Sequence, residues 1–266
     1  MRTGIFLPPF DGAADPRFLT ALAADAEANG WDGFFLWDHV MYRPPVEEVA
    51  DPWIAMAAIA MATERVRFGA LVTPLARRRP QIVARQAATL DHLSGGRLVL
   101  GVGLGLDRSG RELSAFGEEG DDRTRAAMLD EALEVITDLW SGEPVRHQGE
   151  HYLVDDATFL PPPVQRPRIP VWVGARWPYR RPLRRAARWD GLFAIDFGGP
   201  QDLAEALHEI RAARGDLEGF DVVCTGAAGD DPRPWADAGA TWWLVDPFST
   251  DPDVLRGIVA ARPGEP

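Results

Sequence analysis

Asp38 and His39 stand side by side just beyond an apolar run, Gly33 to Trp37, that reads as a β-strand. An imidazole can take or give a proton near neutral pH, and a neighbouring carboxylate can fix which ring nitrogen carries it. The same pair can equally make a plain hydrogen bond at the rim of a fold, so both readings stand here. His147-Gln148-Gly149-Glu150-His151 carries the H-x-x-E-H pattern of inverted zinc proteases. That pattern grips a metal only when a helix puts both imidazoles on one face. Gly149 among β-type residues predicts a turn instead, and no metal site is expected. His92 and His208 fall in helical patterns and read as structural.

Gly101, Gly103 and Gly105 are spaced G-x-G-x-G, which is not the dinucleotide fingerprint, and no acidic residue ends a second strand at the distance a Rossmann unit needs. At the end of a barrel strand such glycines either let a flat ligand approach the backbone or relieve crowding at the rim. Arg180, Arg184 and Arg188 recur at helical spacing and read as a solvated face. Arg176 differs, because it follows an apolar strand directly, where backbone amides already favour an anion and a guanidinium suits a phosphate.

Composition removes several chemistries. The basic residues number 28 and all are arginine. Without lysine there is no Schiff base, no pyridoxal phosphate anchor and no P-loop. Cys224 is the single cysteine, which excludes intramolecular disulfides and multi-cysteine metal sites, and it reads as a small buried hydrophobe. A net charge of −12 repels polyanions, so neither nucleic acid nor an anionic membrane is an expected partner. The longest apolar run, Trp53 to Ala62, is too short to cross a bilayer, and the N-terminal apolar segment stops at Pro8-Pro9. A cytoplasmic protein acting on a small-molecule substrate is expected.

These residues need a scaffold, and the pattern supplies one. Short runs rich in Val, Phe and Leu alternate with segments of helical period, as in a parallel sheet wound by crossover helices. The candidate strands are Gly4 to Leu7, Gly33 to Trp37, Arg67 to Val72, Leu98 to Val102, Val171 to Gly174, Gly191 to Ile195, Asp221 to Thr225 and Thr241 to Val245. Eight repeats predict an α/β fold closed into a (β/α)8 TIM barrel, one domain over residues 1–266. Asp15 and Pro16 open the first helix and Gly30 closes it, while a longer helix starts near Asp121-Asp122 and ends near Gly142. Between strands four and five lie roughly 65 residues, too many for a simple crossover. This excursion, residues 106–170, is expected to hold that long helix, a hairpin turning at Gln148-Gly149 and a proline-rich return.

With those segments in place the sequence resembles the luciferase-like monooxygenases, from Gly4 to about Leu192. Asp38-His39 looks like the family's strand-two pair. Val72-Thr73-Pro74 through Arg79-Pro80 and Ala84 to Asp91 resemble its third βα unit. Leu93-Ser94-Gly95-Gly96-Arg97 through Gly101-Val102-Gly103 is the most specific stretch. Gly149-Glu150-His151-Tyr152, Ile169 to Gly174 and Ala186 to Gly191 follow in family order.

The resemblance implies an oxidoreductase that binds coenzyme F420 or FMN at the C-terminal mouth of the barrel, and a homodimer. The ring would lie against strands two to four, near Ala70, Leu71, Thr73, Gly103 and Gly105. The phosphate would lie near Gly174, Ala175 and Arg176, with Arg123 or Arg125 in reach and Arg77 to Arg79 and Arg180 as further cations for a polyanionic tail. A non-proline cis peptide is implied near Ala70-Leu71. His39 and Asp38 would be catalytic. Where some F420 members carry a glutamate acid after strand four, this chain has Gly103-Leu104-Gly105-Leu106, and Asp107 is the nearest carboxylate and the candidate proton donor. F420 is favoured because Asp-His replaces the Glu-His more often associated with FMN members and the arginine-only composition suits a GC-rich actinobacterium. An FMN-dependent monooxygenase is the alternative, and a non-catalytic flavin-binding barrel the rival from another class.

Overall fold

The computed structural model describes residues 1–261. The chain opens with β1 (Arg2–Leu7), α1 (Pro16–Ala28), β2 (Gly33–Leu36) and α2 (Pro52–Ala62). Asp15 caps α1 by accepting from Arg17 N at 2.8 Å, with Pro16 in the first turn as its fixed φ favours. The third barrel strand comes in two pieces, β3 (Arg67–Ala70) and β4 (Thr73–Pro74), followed by α3 (Pro80–Ser94) and β5 (Leu100–Gly103). The break holds the Leu71–Val72 peptide, which is cis, one bond beyond the place the family resemblance suggests.

After β5 comes the long excursion. α4 (Asp122–Leu139) is capped by Asp121 and buries Leu129, Leu133, Ile136 and Leu139 along one stripe. A hairpin of β6 (Val145–Gln148) and β7 (Leu153–Ala157) follows. The H-x-x-E-H pattern therefore lies on a strand and its turn, not on a helix. Glu131 of α4 pins that turn, accepting from the backbone N–H groups of His151 at 2.9 Å and Tyr152 at 2.8 Å and pairing with His147 Nε2 at 3.1 Å. The proline-rich return is held in the same way by the buried Asp91, which accepts from Val164 N and from Gln165 N and Nε2. Buried carboxylates satisfied by backbone donors can tie irregular chain to a rigid helix.

The rest alternates strictly: β8 (Val171–Arg176), α5 (Arg180–Ala186), β9 (Gly191–Ile195), α6 (Pro200–Arg214), β10 (Asp221–Ala227), α7 (Arg233–Asp237), β11 (Trp242–Asp246) and α8 (Pro252–Ala260). The parallel sheet runs β3-β2-β1-β11-β10-β9-β8-β5-β4. Its two ends are halves of one strand, and Phe68 bridges Leu98 between them, so the sheet closes into an eight-stranded barrel. Side chains alternate between two cores. Phe6, Phe35, Leu71, Val99, Trp172, Phe193, Val223, Trp242 and Leu244 fill the barrel interior, while the opposite faces pack under the helices. Two loops leave the C-terminal ends of β2 and β5, and these bring the chemistry together.

Candidate active site

The C-terminal ends of the strands surround a cavity of about 1370 Å3. Bulky side chains stop short of it on one side. A Cβ on Gly103 would stand 2.4 Å from Val72 Cγ2, and one on Gly174 3.0 Å from Val72 Cγ1. The glycines therefore make room for the bulged third strand, and Leu71 and Val72 form an apolar platform in the mouth. Ala70 stays below the cavity, its carbonyl 2.4 Å from where a Cβ on Gly101 would sit. Gly105, with φ of +73°, turns the chain away over Pro74. Thr73 is fully buried beside the platform, and its hydroxyl has no protein partner.

His39 faces this platform from the β2 loop. Its Nδ1 lies 2.6 Å from Glu112 Oε2, and Glu112 Oε1 accepts from Val40 N and Arg77 Nη1, both at 2.7 Å. Burial alone would raise the Glu112 carboxyl, but the His39 hydrogen bond and charge, the Val40 amide and Arg77 together hold it below the usual range. An ionised carboxylate only accepts, which places the hydrogen on His39 Nδ1 and leaves the Nε2 lone pair for the cavity. Phe10, Trp37 and Tyr42 surround the ring, with centroids 5.7, 5.9 and 4.9 Å away. Trp37 lines the cavity, and its Nε1 is buried without a protein partner.

Asp38 does not orient His39. It is 2% exposed and turned the other way, and both its oxygens are held by Arg78 Nη2 at 2.9 Å, with Arg77 Nη2 at 2.6 Å and Trp53 Nε1 at 3.1 Å. Neighbours on extended chain point to opposite sides, so adjacency in sequence separates them in space. Arg77 bridges the two carboxylates and joins Asp38 to Glu112 and His39. It and Arg78 are thereby committed to Asp38 and Glu112, not to a ligand's tail.

Asp107 lies on the rim, where Oδ1 accepts from Leu113 N at 2.8 Å and Ser114 N at 2.9 Å. Those bonds, led by Ser114, hold its carboxyl below the usual range, so it braces the loop that carries Glu112 and is unsuited to donate a proton. Arg125 is also a brace: 2% exposed, it donates to the carbonyls of Leu104, Glu119 and Gly120 and pairs with Asp122. Arg176 ends β8 inside the mouth and pairs with Asp196. Burial and the neighbouring Arg108 lower its pKa. Arg108, Arg123 and Arg181 line the same cavity and form no ion pair among the described residues. Ala175 points outward from the strand, and Arg180 pairs with Glu209. Cys224 is buried and its thiol is pushed up to about 12, so it offers no thiolate.

Sequence reasoning missed Glu112 and Asp246. Glu112 sits 73 residues from His39 in a loop without periodicity, and no local signal reveals it. Asp246 is 6% exposed at the inner end of β11, and burial raises its carboxyl above the usual range. Its signal is in the sequence: Trp242, Leu244 and Asp246 continue one alternation, which carries the strand one residue beyond the expected end at Val245.

Comparison with known proteins bears on this geometry. The chain is 31% identical over 261 residues to the phthiodiolone/phenolphthiodiolone dimycocerosates ketoreductase of Mycobacterium bovis, covering 90% of this chain and 60% of that one. It is 36% identical over 167 residues to the F420-dependent glucose-6-phosphate dehydrogenase of Microbacterium testaceum, covering 61% of this chain and 48% of that one. The chain thus spans 60% or less of the length of these curated relatives. The fold matches coenzyme F420 dependent tetrahydromethanopterin reductase from Methanopyrus kandleri with a TM-score of 0.79, at 19% identity over 98% of this chain and 97% of that one. An F420-dependent secondary alcohol dehydrogenase matches with the same score, at 20% identity over 98% and 99%. The model of the luciferase-like monooxygenases matches residues 1–233, and the chain belongs to that family.

Proposed function

We propose that this chain is an F420-dependent oxidoreductase that moves a hydride between the deazaflavin and a small substrate held at the barrel mouth. The observation that carries the reading is the apolar platform of Leu71 and Val72 facing an imidazole whose Nδ1 is fixed by Glu112. The residues present fit such a group. The platform suits one face of a planar ring, the orphaned Trp37 Nε1 suits an acceptor on it, and Arg176 with Arg108, Arg123 and Arg181 suits a phosphodiester. The likeness to an F420-dependent glucose-6-phosphate dehydrogenase supports the choice of cofactor. FMN is the alternative.

Bound F420 supplies the hydride chemistry. The protein's part is positioning and proton handling. His39 Nε2 takes the hydroxyl proton of an alcohol as it is oxidised, and returns a proton to the oxygen of a carbonyl as it is reduced. Glu112 stays ionised throughout and stabilises the imidazolium through Nδ1–H, while Arg77 keeps Glu112 ionised. The aromatic rings of Phe6, Trp37 and Phe193 give the cavity an apolar wall beside His39.

Anaerobic equilibrium titrations with reduced F420 and reduced FMN test this. We expect tighter F420 binding that weakens as salt rises, because the Debye length of about 8 Å screens the distant acidic surface but hardly the arginines in contact. Tighter FMN binding would move the assignment to a flavin monooxygenase, and binding of neither would end the redox reading. The proposal includes a homodimer, supported by Ile54 and Met61, which stand 67% and 70% exposed on α2. Sedimentation velocity giving only a monomer would refute that part.

A further inference from the structure

The floor of the cavity is uneven in charge. On β11, Trp242 and Leu244 belong to the barrel interior while Trp243 and Val245 pack under the helices. Asp246 takes the next inward position, at the strand's last residue, and lines the same cavity as His39. On β10 the same alternation puts Val223 in the interior and Thr225 above it in the cavity wall. The register pairs Thr225 with Leu244 and Ala227 with Asp246, so the hydroxyl and the carboxyl are diagonal neighbours on one inner face. On β10 the methyl of Ala227 stands opposite the carboxyl, and on β1 the register runs on to the Phe6 ring.

Asp246 is poorly provided for. Phe248 N donates to Oδ1 at 2.9 Å, and among the described residues no arginine or histidine pairs with either oxygen. Arg176, the strand-end cation of the mouth, is on β8, three strands round the sheet. A buried carboxyl without a cation favours its neutral form, and burial does raise this one above the usual range. A carboxyl oxygen accepts from a hydroxyl whatever its protonation state, and a threonine hydroxyl donates to a carbonyl or accepts from a hydroxyl. The β8 side of the mouth therefore offers cations to an anion, and the β11 side offers none.

We propose that Asp246 and Thr225 are the substrate-recognition pair of this mouth and that they take an uncharged oxygen function, a carbonyl or a hydroxyl. This rests on the oxidoreductase reading above and adds the residues that recognise the substrate's oxygen and the requirement that it be uncharged. It predicts that a neutral alcohol or ketone enters on the β11 side, and that a carboxylate of the same size is refused there.

Protein labelled with 13C at the aspartate carboxyl carbons reads the site directly. Asp246→Asn assigns the Asp246 resonance by its loss, and Asp246→Glu serves if the asparagine variant does not fold. Cofactor-free protein is then titrated with acetone, propan-2-ol and acetate. Acetone or propan-2-ol should shift the Asp246 resonance saturably, with acetate at least about tenfold weaker for want of a cation to receive it. Thr225→Val should weaken the neutral ligands about threefold, the effect of one neutral hydrogen bond. Equal or tighter binding of acetate overturns the proposal, as does an Asp246 resonance that no neutral ligand moves. Because these titrations contain no cofactor, a positive result beside failed F420 and FMN binding would refute the redox reading alone, and the reverse would refute this inference alone.

Discussion

Glu112→Gln tests the proton network at its centre. Three donors converge on this carboxylate: His39 Nδ1 at 2.6 Å, and Val40 N and Arg77 Nη1 at 2.7 Å. The glutamine oxygen can replace Oε1 and keep Val40 and Arg77. Its amide nitrogen then occupies the place of Oε2 and donates to His39 Nδ1, so the ring must carry its hydrogen on Nε2. The cavity would meet an N–H where the wild type offers a lone pair. Turnover should fall by about 10²- to 10⁴-fold, the range for general-base loss and tautomer inversion. Charge-assisted bonds become neutral ones, but Arg77 keeps Asp38, so the stability loss should be about 2–3 kcal/mol, below the full value for a broken buried pair. The pH dependence has a definite sign. Glu112 is held below its usual range in the folded state, so its stabilisation is present above the unfolded value of 4.5 and is lost as pH falls through the depressed folded value. The gap between wild type and variant in urea unfolding should be widest near neutrality and close in acid. Nitrogen-15 spectra of the imidazoles report the tautomer without any substrate. An unchanged His39 tautomer, or a stability gap that does not narrow in acid, would refute the reasoning.

Three further outcomes follow from the same geometry. His39→Ala should lower turnover at least about tenfold with little loss of fold, because the ring borders the cavity and not the core; unchanged kinetics would return His39 to a rim hydrogen bond. Arg176→Ala should raise the cofactor dissociation constant while leaving turnover at saturation near wild type, since a phosphate contact is made equally in ground and transition states, and a pure fall in kcat would contradict it. Gly103→Ala pushes a methyl to 2.4 Å from Val72 Cγ2, which should cost about 1–3 kcal/mol in thermal unfolding and weaken cofactor binding by tilting the platform; an unaltered melting temperature would show that the bulge yields freely.

The barrel was legible because its signals are local. Each strand is a short apolar run closed by turn residues, and caps such as Asp15 and Asp121 mark helix starts within a single turn. The site was legible only in part, because its contacts join distant loops. His39 is legible from its position after strand two and from the family resemblance, but adjacency points to Asp38 as its partner, and adjacency on extended chain means opposite faces. Glu112 and Asp107 lie in one irregular loop, and nothing in their spacing tells the carboxylate that meets His39 from the one that binds its own backbone. The glycines invited two explanations, a close ligand or a crowded rim. The distances support crowding by Val72, and the crowded strand itself makes the surface on which a ring could rest.

The absence of lysine acquires a structural meaning here. Arg77 reaches Glu112 through Nη1 and Asp38 through Nη2, one planar group spanning two carboxylates that both lie almost wholly out of solvent. An ammonium is a point charge with no fixed fork, and could not hold both at such distances and directions. With Arg78 also on Asp38, two guanidinium charges balance two carboxylates, and His39 meets this network through Nδ1. That balance leaves no buried ion unpaired beside the imidazole. The cations that remain for a ligand are those at the β8 side of the mouth, and the carboxyl that remains is Asp246 across from them. The proposed function thereby assigns three tasks to three arcs of one rim: proton transfer after β2, anion binding after β8 and recognition of a neutral oxygen after β11.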